Sequence, residues 1–429
     1  MTGVRSVYLG AAVAVGVGLV LPAVVDAELM IVGNDQKVGW DDAGKVVTAA
    51  PGEDTISIVD IGSDPENPEI IANLELMNSI FGPPTNLAIA PDEKLAIATN
   101  AMSWVQEGDT WKPAPDNKLY VIDLEADPPA LIDTVEVGQQ PSGLAISQAG
   151  DLALIANRAG NSISVLAIDG KNVEHVSEVE MGGQVAAVAI APDGKRALAA
   201  KFPEHKVAVL AIDGRDVTYD GQDIPVGLWP YNVAITPDGT LALTADNGAS
   251  GASDGHVDTV SVIDLEADPP RVIDKVVVGD GPEGLAISPT GEIAVAILLN
   301  GSAAVPRDAW FANPGGKVVV LALDGKEVSK VGEACRRAWC SARTAAISTS
   351  ATTPTATSRS SRSMAPRSPT PARSCSCRAS PPRCAAAIRS RSAPDQNDGG
   401  GVARRNAVTS SSTGASQRSG AASAATRAT

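Results

Sequence analysis

Few side chains in this sequence of 429 residues are equipped for chemistry, and their spacing narrows what that chemistry is. The only histidines are His175, His205 and His256, and no two stand at ligand spacing. The stretch "DGHVD" alternates Asp254, His256 and Asp258. It could grip a cation with further ligands, but its Gly/Ser-rich setting also suits plain solvated polarity. "NGASGASDG" lacks the lysine and the strand–helix context of a phosphate-binding loop. A serine hydrolase finds no nucleophile elbow between a strand and a helix. "DLEADPP", at 123–129 and again at 264–270, lacks the spacing of a calcium loop and marks one turn used twice. What remains is Arg158 and Lys201, two cations in acidic surroundings. They suit the neutralisation of an anionic ligand, or ion pairing with nearby acids. With Glu283 and His256 they complete the candidates for hydrolytic chemistry. Catalytic residues and metal ligands are not assigned, and no cofactor is expected.

The surroundings of those residues are unusual in charge. The whole chain carries −16, but beyond Glu333 it holds 15 Arg, no Lys and 2 Asp, which is +13. The part before that point is then −29. Such a body argues against nucleic acid or an anionic membrane surface as partner. Cys335, Cys340, Cys375, Cys377 and Cys384 all lie beyond Glu333, so the body has no disulfide and no thiolate nucleophile. At the other end, Arg5, the apolar run "VYLGAAVAVGVGLVLPAVV" and the small-residue site Val25-Asp26-Ala27 predict a cleaved export signal over 1–27. Gly10, Gly16, Gly18 and Pro22 make that run a poor anchor helix. The expected location is periplasmic or secreted, with no membrane span after cleavage.

The elements that must position the candidate residues come from a repeat. "PTNLAIAPDEKLAIATN" (84–100), "PSGLAISQAGDLALIAN" (141–157), "VAAVAIAPDGKRALAAK" (185–201), "PYNVAITPDGTLALTAD" (230–246) and "PEGLAISPTGEIAVAIL" (282–298) align. Each is a short apolar run, a Pro-Asp-Gly type of turn and a second apolar run, which is hairpin chemistry. A third strand follows ("SISVLAIDG", "TVSVIDLE"), then a fourth ("HVSEVEMG", "VIDKVVVG"). Glycine and proline punctuate runs too short for helices. Four antiparallel strands at this period predict an all-β propeller. Strands apolar at successive positions fit blades buried on both faces. The propeller is expected over residues 28–333.

"PSGLAIS", "PDGKRALAA", "SPTGEIAVA" and "VSVIDLE" resemble the YVTN-type β-propeller repeats of exported bacterial proteins. The aromatic strand of that pattern appears here as "AIATN", "ALIAN", "ALAAK", "ALTAD" and "AVAIL", with alanine in place of the aromatic. The resemblance implies seven blades. It also implies that the entries to the innermost strands share one face with the loops joining second and third strands. That face would gather Asn157, Arg158, Lys201, Tyr231, Asn247 and Glu283 near the axis. Around them would stand three long insertions, 101–117, 247–258 and 300–316, carrying Trp104, Trp111, His256, Arg307, Trp310 and Phe311.

Past Glu333 the chain turns rich in Arg, Ser, Thr and Pro. Ala334 to Ser341 can be encoded by the chosen codons GCC TGC CGG AGG GCG TGG TGT TCA. Read two bases on, they give LPEGVVF, and permitted codons continue as SPDGRYLYVGN and on through a further blade. Residues 334–429 therefore read as an out-of-frame, low-complexity tail expected to be disordered. The ring is expected to lack one blade and its closure, leaving exposed strand edges.

The resulting expectation is an exported propeller that binds an unidentified protein or small molecule through its long-loop face. The alternative is an enzyme. The resemblance extends to lactonases and to the heavy subunits of quinone-dependent amine dehydrogenases.

Overall fold

The computed structural model describes residues 28–64, 66–79, 81–249, 251–335 and 346–349. The chain divides into two units, Met1–Thr357 and Ser358–Thr429, and all the described residues belong to the first. The predicted signal, nearly all of the predicted tail and the cysteines beyond Cys335 lie outside them. Among the described residues no helix is long and apolar enough to cross a membrane.

The described residues of the unit form strands, with one short 3₁₀ turn at Phe202–Glu204. Five blades have all four strands in chain order. Blade 2 is Leu87–Ile89, Leu95–Glu107, Thr110–Asp123 and Ala130–Glu136. Blade 3 is Pro141–Ile146, Leu152–Asn157, Ser162–Asp169 and Asn172–Glu180. Blade 4 is Val188–Ile190, Arg196–Lys201, Lys206–Asp213 and an outer strand broken into Asp216–Thr218 and Asp223–Pro225. Blade 5 is Pro230–Ile235, Leu241–Asp246, Asp258–Asp264 and Arg271–Gly279. Blade 6 is Pro282–Ile287, Ile293–Leu298, Lys317–Asp324 and Glu327–Cys335.

Blade 1 is assembled from both ends of the unit. Leu29–Asn34, Thr55–Asp60 and Glu69–Leu74 are its second, third and fourth strands, and Ala346–Thr349 pairs on the inner edge of Leu29–Asn34. A segment from beyond Glu333 thus supplies the inner strand of blade 1, while the six blades described fit the incomplete ring that was expected. The stretch 101–117, expected as a loop, is a correction too. It continues two strands of blade 2 into a long hairpin, with Met102 opposite Pro115 and Glu107 opposite Thr110.

The core lies between blades. Five apolar clusters fill the seams 1/2, 2/3, 3/4, 4/5 and 5/6. In blade 3, Leu152 and Leu154 face blade 4 while Ala153 and Ile155 face blade 2, and all four are at most 3% exposed. Burial on both faces is the reason the strands do not alternate in polarity. The hairpin turns use positive φ as expected, at Gly150, Gly194, Gly239 and Gly291, while blade 2 places Glu93 there at φ 57°.

Two side-chain devices recur. The last residue of the second strand ties down the start of the third. Asn34 donates to Thr55 and Ser57, Asn157 donates to Ser162 and Ser164, and Asp246 accepts from Thr259 and Ser261. The acidic turns "DLEADPP" reach the next blade. Asp123 and Glu125 of blade 2 hold Lys171 of blade 3, and Asp264 and Glu266 of blade 5 hold Lys326 of blade 6.

Candidate functional site at the axial mouth

Antiparallel pairing fixes which ends share a face. Pro141 opens the inner strand of blade 3 opposite Asn157, and Pro230 stands opposite Asp246 in blade 5. Entries to inner strands and exits from second strands thus lie at one end of the sheets. At that end the inner strands of blades 3, 5 and 6 each carry a register shift, between Pro141 and Gly143, Pro230 and Asn232, and Pro282 and Gly284. The extra residues are Ser142, Tyr231 and Glu283. A bulge re-aims its side chain, which is how the inner strands of blades 5 and 6 present Tyr231 and Glu283 at the mouth. Gly143 sits where a Cβ would come within 2.6 Å of Ala186 O and 2.9 Å of Thr85 Oγ1, so the inner strands approach there as only glycine allows.

Four consecutive blades contribute to one cluster. Arg158 leaves the second strand of blade 3, Phe202 leaves that of blade 4, Tyr231 enters blade 5, and Glu283 enters blade 6. The Arg158 guanidinium lies over the Phe202 ring, 4.6 Å from its centroid, and 5.7 Å from that of Tyr231. Arg158 Nη1 donates to Tyr231 Oη at 3.2 Å. Phe202 meets Trp229 edge-on at 5.0 Å and Tyr231 at 6.1 Å. His205 Nδ1 accepts from the Trp229 amide, which fixes the turn presenting that ring.

The electrostatics follow from burial. Desolvation pushes the Glu283 carboxyl up to about 8, with the Arg158 charge pulling the other way. Burial also raises the Tyr231 hydroxyl above the usual range, Arg158 opposing. Glu283 is therefore mostly protonated at neutral pH. Among the described residues no carboxylate lies within ion-pair distance of Arg158. The mouth thus holds a cation stacked on aromatics, a phenol and a neutral carboxyl, a set able to bind an anion and to donate protons to it.

The other candidates stand elsewhere. Lys201 is buried and turned to Asp223 (3.4 Å) and the Tyr219 hydroxyl (3.3 Å), an internal ion pair of blade 4. Asn157 is fully buried and tied to Ser162 and Ser164. Asn247 is also fully buried, its Oδ1 accepting from Gly251 N. His256 is exposed, 3.2 Å from Asp254 Oδ2, while Asp258 turns inward to accept from Gly281 N. The acid-His-acid stretch does not converge. Burial and the neighbouring carboxylates Asp254, Asp280 and Asp246 push Asp258 up to about 6. Gly251–Gly255 spells the order Gly-x-Ser-x-Gly, but it is a loop between strands, and Ser253 Oγ accepts from Gly301 N at 2.8 Å.

The long-loop aromatics divide. Trp104 is buried against Phe81, with the fully buried Lys37 5.9 Å from its ring. Lys37 itself pairs with Asp35 and Asp54 and donates to the Asn78 carbonyl. Trp111 is half-buried, its carbonyl accepting from Thr48. Phe311 is half-buried beside Trp310, which is 82% exposed. Arg307 crosses to Asp42 at 3.0 Å. A groove of about 680 Å³ opens at the opposite end, between Thr236–Thr240 and Asp324–Gly325, and contains none of the candidates.

Phe202 and Trp229 were not legible as site residues. Phe202 stands at the place of Arg158 in its own repeat, one residue past the second strand, and that equivalence was the available signal.

Residues 121–216 match the family described as Lactonase, 7-bladed beta-propeller. No curated protein matches the sequence. Among solved structures, the chain is similar to a functionally unknown protein from Desulfotomaculum acetoxidans, with TM-score 0.50 and 15% identity over 65% of this chain and 76% of that one. It is also similar to the periplasmic gluconolactonase of Pseudomonas aeruginosa, with TM-score 0.48 and 17% identity over 71% and 83%. A third is hydrazine synthase of Kuenenia stuttgartiensis, with TM-score 0.44 and 17% identity over 61% and 69%. At 15% identity the likeness to the first of these is one of fold alone. The chain thus has the β-propeller fold, and its residues 121–216 are similar to the lactonase propeller family.

Proposed function

We propose that this protein is an exported propeller that binds a small anionic ligand at the axial mouth, with Arg158 as the anchoring charge. The observation that carries this reading is the uncompensated guanidinium: Arg158 is held by Phe202 and Tyr231, and its acidic neighbour Glu283 is neutral near pH 7. Arginine held on aromatic faces keeps its fork free for a carboxylate. The match to a lactonase family points to hydroxycarboxylates or their lactones as the ligand class. The surrounding loop face, with Trp310 exposed, is the platform for a partner. Export rests on the leader-like residues 1–27, and delivery to the periplasm or medium follows from it.

Calorimetric titration with gluconate tests the binding. Arg158→Ala should weaken it at least about tenfold, the loss of one charge-assisted contact. Lys201→Ala should leave affinity unchanged, because its charge is held by Asp223. Equal effects of the two substitutions, or no binding to the unaltered chain, would refute the reading. Lactone hydrolysis is the second reading, favoured by a protonated Glu283 beside an arginine. It requires turnover of gluconolactone that Arg158→Ala and Glu283→Gln each abolish.

A further inference from the structure

His205 touches no part of the Arg158 fork, yet its bonds tie together the rings that hold that fork. It follows the 3₁₀ turn Phe202–Glu204 in left-handed conformation, at φ 58° and ψ 43°. Its amide donates to the Phe202 carbonyl at 3.3 Å, and its carbonyl accepts from Val226 N at 3.1 Å. Its Nδ1 lies 2.9 Å from the Trp229 amide nitrogen. One residue thus joins the exit of blade 4 to the entry of blade 5. Trp229 is left-handed as well, at φ 57°. A bulky side chain stays in that region only where its surroundings hold it there. The Trp229 turn is held by the His205 ring at its amide, and by Asn247 N and Gly248 N, which donate to the carbonyls of Trp229 and Leu228. A backbone amide can only donate, so the first of these bonds requires Nδ1 without a proton. A second proton on the imidazole sets donor against donor. Histidine is the side chain whose charge changes between about pH 8 and pH 5. Among the described residues no carboxylate lies within ion-pair distance of His205. Around it Glu204 packs over Gly183, Lys201 and Lys206 both turn to Asp223, and Lys275 donates to the Val226 carbonyl. Arg158 reaches over Phe202 from blade 3.

We infer that His205 is a positioning residue for the axial mouth, and that its protonation releases the Trp229 turn and weakens anion binding at Arg158. The inference rests on the anion reading of the site. The line of contacts is short. Trp229 meets Phe202 edge-on and directly precedes Pro230 and Tyr231, and Phe202 and Tyr231 are the rings that hold the guanidinium. The sign of the effect is diagnostic. Falling pH neutralises Glu283 and Asp258 and adds positive charge to the three histidines, and each of these changes favours a bound anion. A carboxylate ligand keeps its own charge down to about pH 4. Weaker binding in acid therefore reports the loss of the aromatic seat.

The test titrates the full chain with gluconate at pH 7.5 and at pH 5.5. Affinity should fall at least about tenfold in acid, the loss of one hydrogen bond and the geometry it fixes. His205→Asn keeps an acceptor near the place of Nδ1, tolerates left-handed backbone and does not titrate. It should bind as the unaltered chain does at pH 7.5 and keep that affinity at pH 5.5. His205→Ala should bind weakly at both. An unaltered chain that binds equally well or more tightly in acid, or a His205→Asn chain that still loses affinity there, would overturn the inference. A second readout needs no ligand. In chain labelled with 5-fluorotryptophan, the Trp229 fluorine resonance, assigned by its absence in Trp229→Phe, should move between the two pH values. It should stay fixed in His205→Asn. If it moves so while gluconate fails to bind, the positioning role stands and the anion reading falls. If it stays fixed in the unaltered chain while gluconate binds at Arg158, the inference falls and the anion reading stands.

Discussion

At the residue scale, burial rather than residue type divides the polar side chains between structure and site. Arg158 and Lys201 look alike in the sequence, yet one is paired to Asp223 and the other stacked on Phe202 with no carboxylate at hand. Glu283 makes this testable by pH. Its folded carboxyl is raised to about 8, so the folded chain holds that proton more tightly than the unfolded chain does. Its contribution to stability is fully present below the ordinary glutamate value and is lost as pH rises through about 8. Asp258, raised to about 6, acts in the same direction at lower pH. Melting temperature should therefore fall from pH 5 to pH 9, and Glu283→Gln should flatten the upper part of that fall. A profile identical to the unaltered chain would contradict the assignment. Asn157→Ala removes the donor that ties Ser162 and Ser164 in a fully buried place. It should cost about 1–3 kcal/mol in urea unfolding.

At the element scale, the bulged inner strand sets the geometry of the mouth. The bulge turns residues 142, 231 and 283 toward the axis, and Gly143 allows the close approach of inner strands behind them. Gly143→Ala should destabilise by about 1–3 kcal/mol, because a methyl meets backbone that cannot retreat. Denaturant midpoints measure it, and a neutral result would mean that the inner strands can spread. The acidic "DLEADPP" turns belong to this scale as well. Their period in the sequence identifies a repeated turn, but their role as blade-to-blade ties depends on Lys171 and Lys326, which lie one blade further on. The lysine ends of both ties are solvent-exposed, so added salt should screen them and Lys171→Ala should have little effect on melting at high ionic strength.

At the scale of the whole unit, five filled seams and one bare pair of faces define an unfinished ring. Long apolar strands left without a neighbour invite association. We propose that the chain is read out of frame beyond Glu333; restoring the frame should then raise the melting temperature and reduce light scattering on heating, with Ile293 and Ile297, now 46% and 45% exposed, becoming buried. Sequencing the gene across codons 325 to 345 reads the frame directly.

The repeat was legible because turn chemistry and strand length are local. Pro-Asp-Gly turns, short Val/Ile/Ala runs and their period specify four-stranded blades, and apolar residues at successive positions specify two buried faces. The placement of Arg158, Tyr231 and Glu283 on one face came instead from the resemblance to propeller repeats, which assigns that face to the positions they hold in their own repeats. What the tertiary structure alone decided is non-local. Which cation meets a carboxylate, which aromatic lies beneath Arg158, and how far burial lifts Glu283 depend on neighbours contributed by other blades. The inner strand of blade 1 shows this most plainly: Ala346–Thr349 pairs there through backbone hydrogen bonds, which any side chain permits.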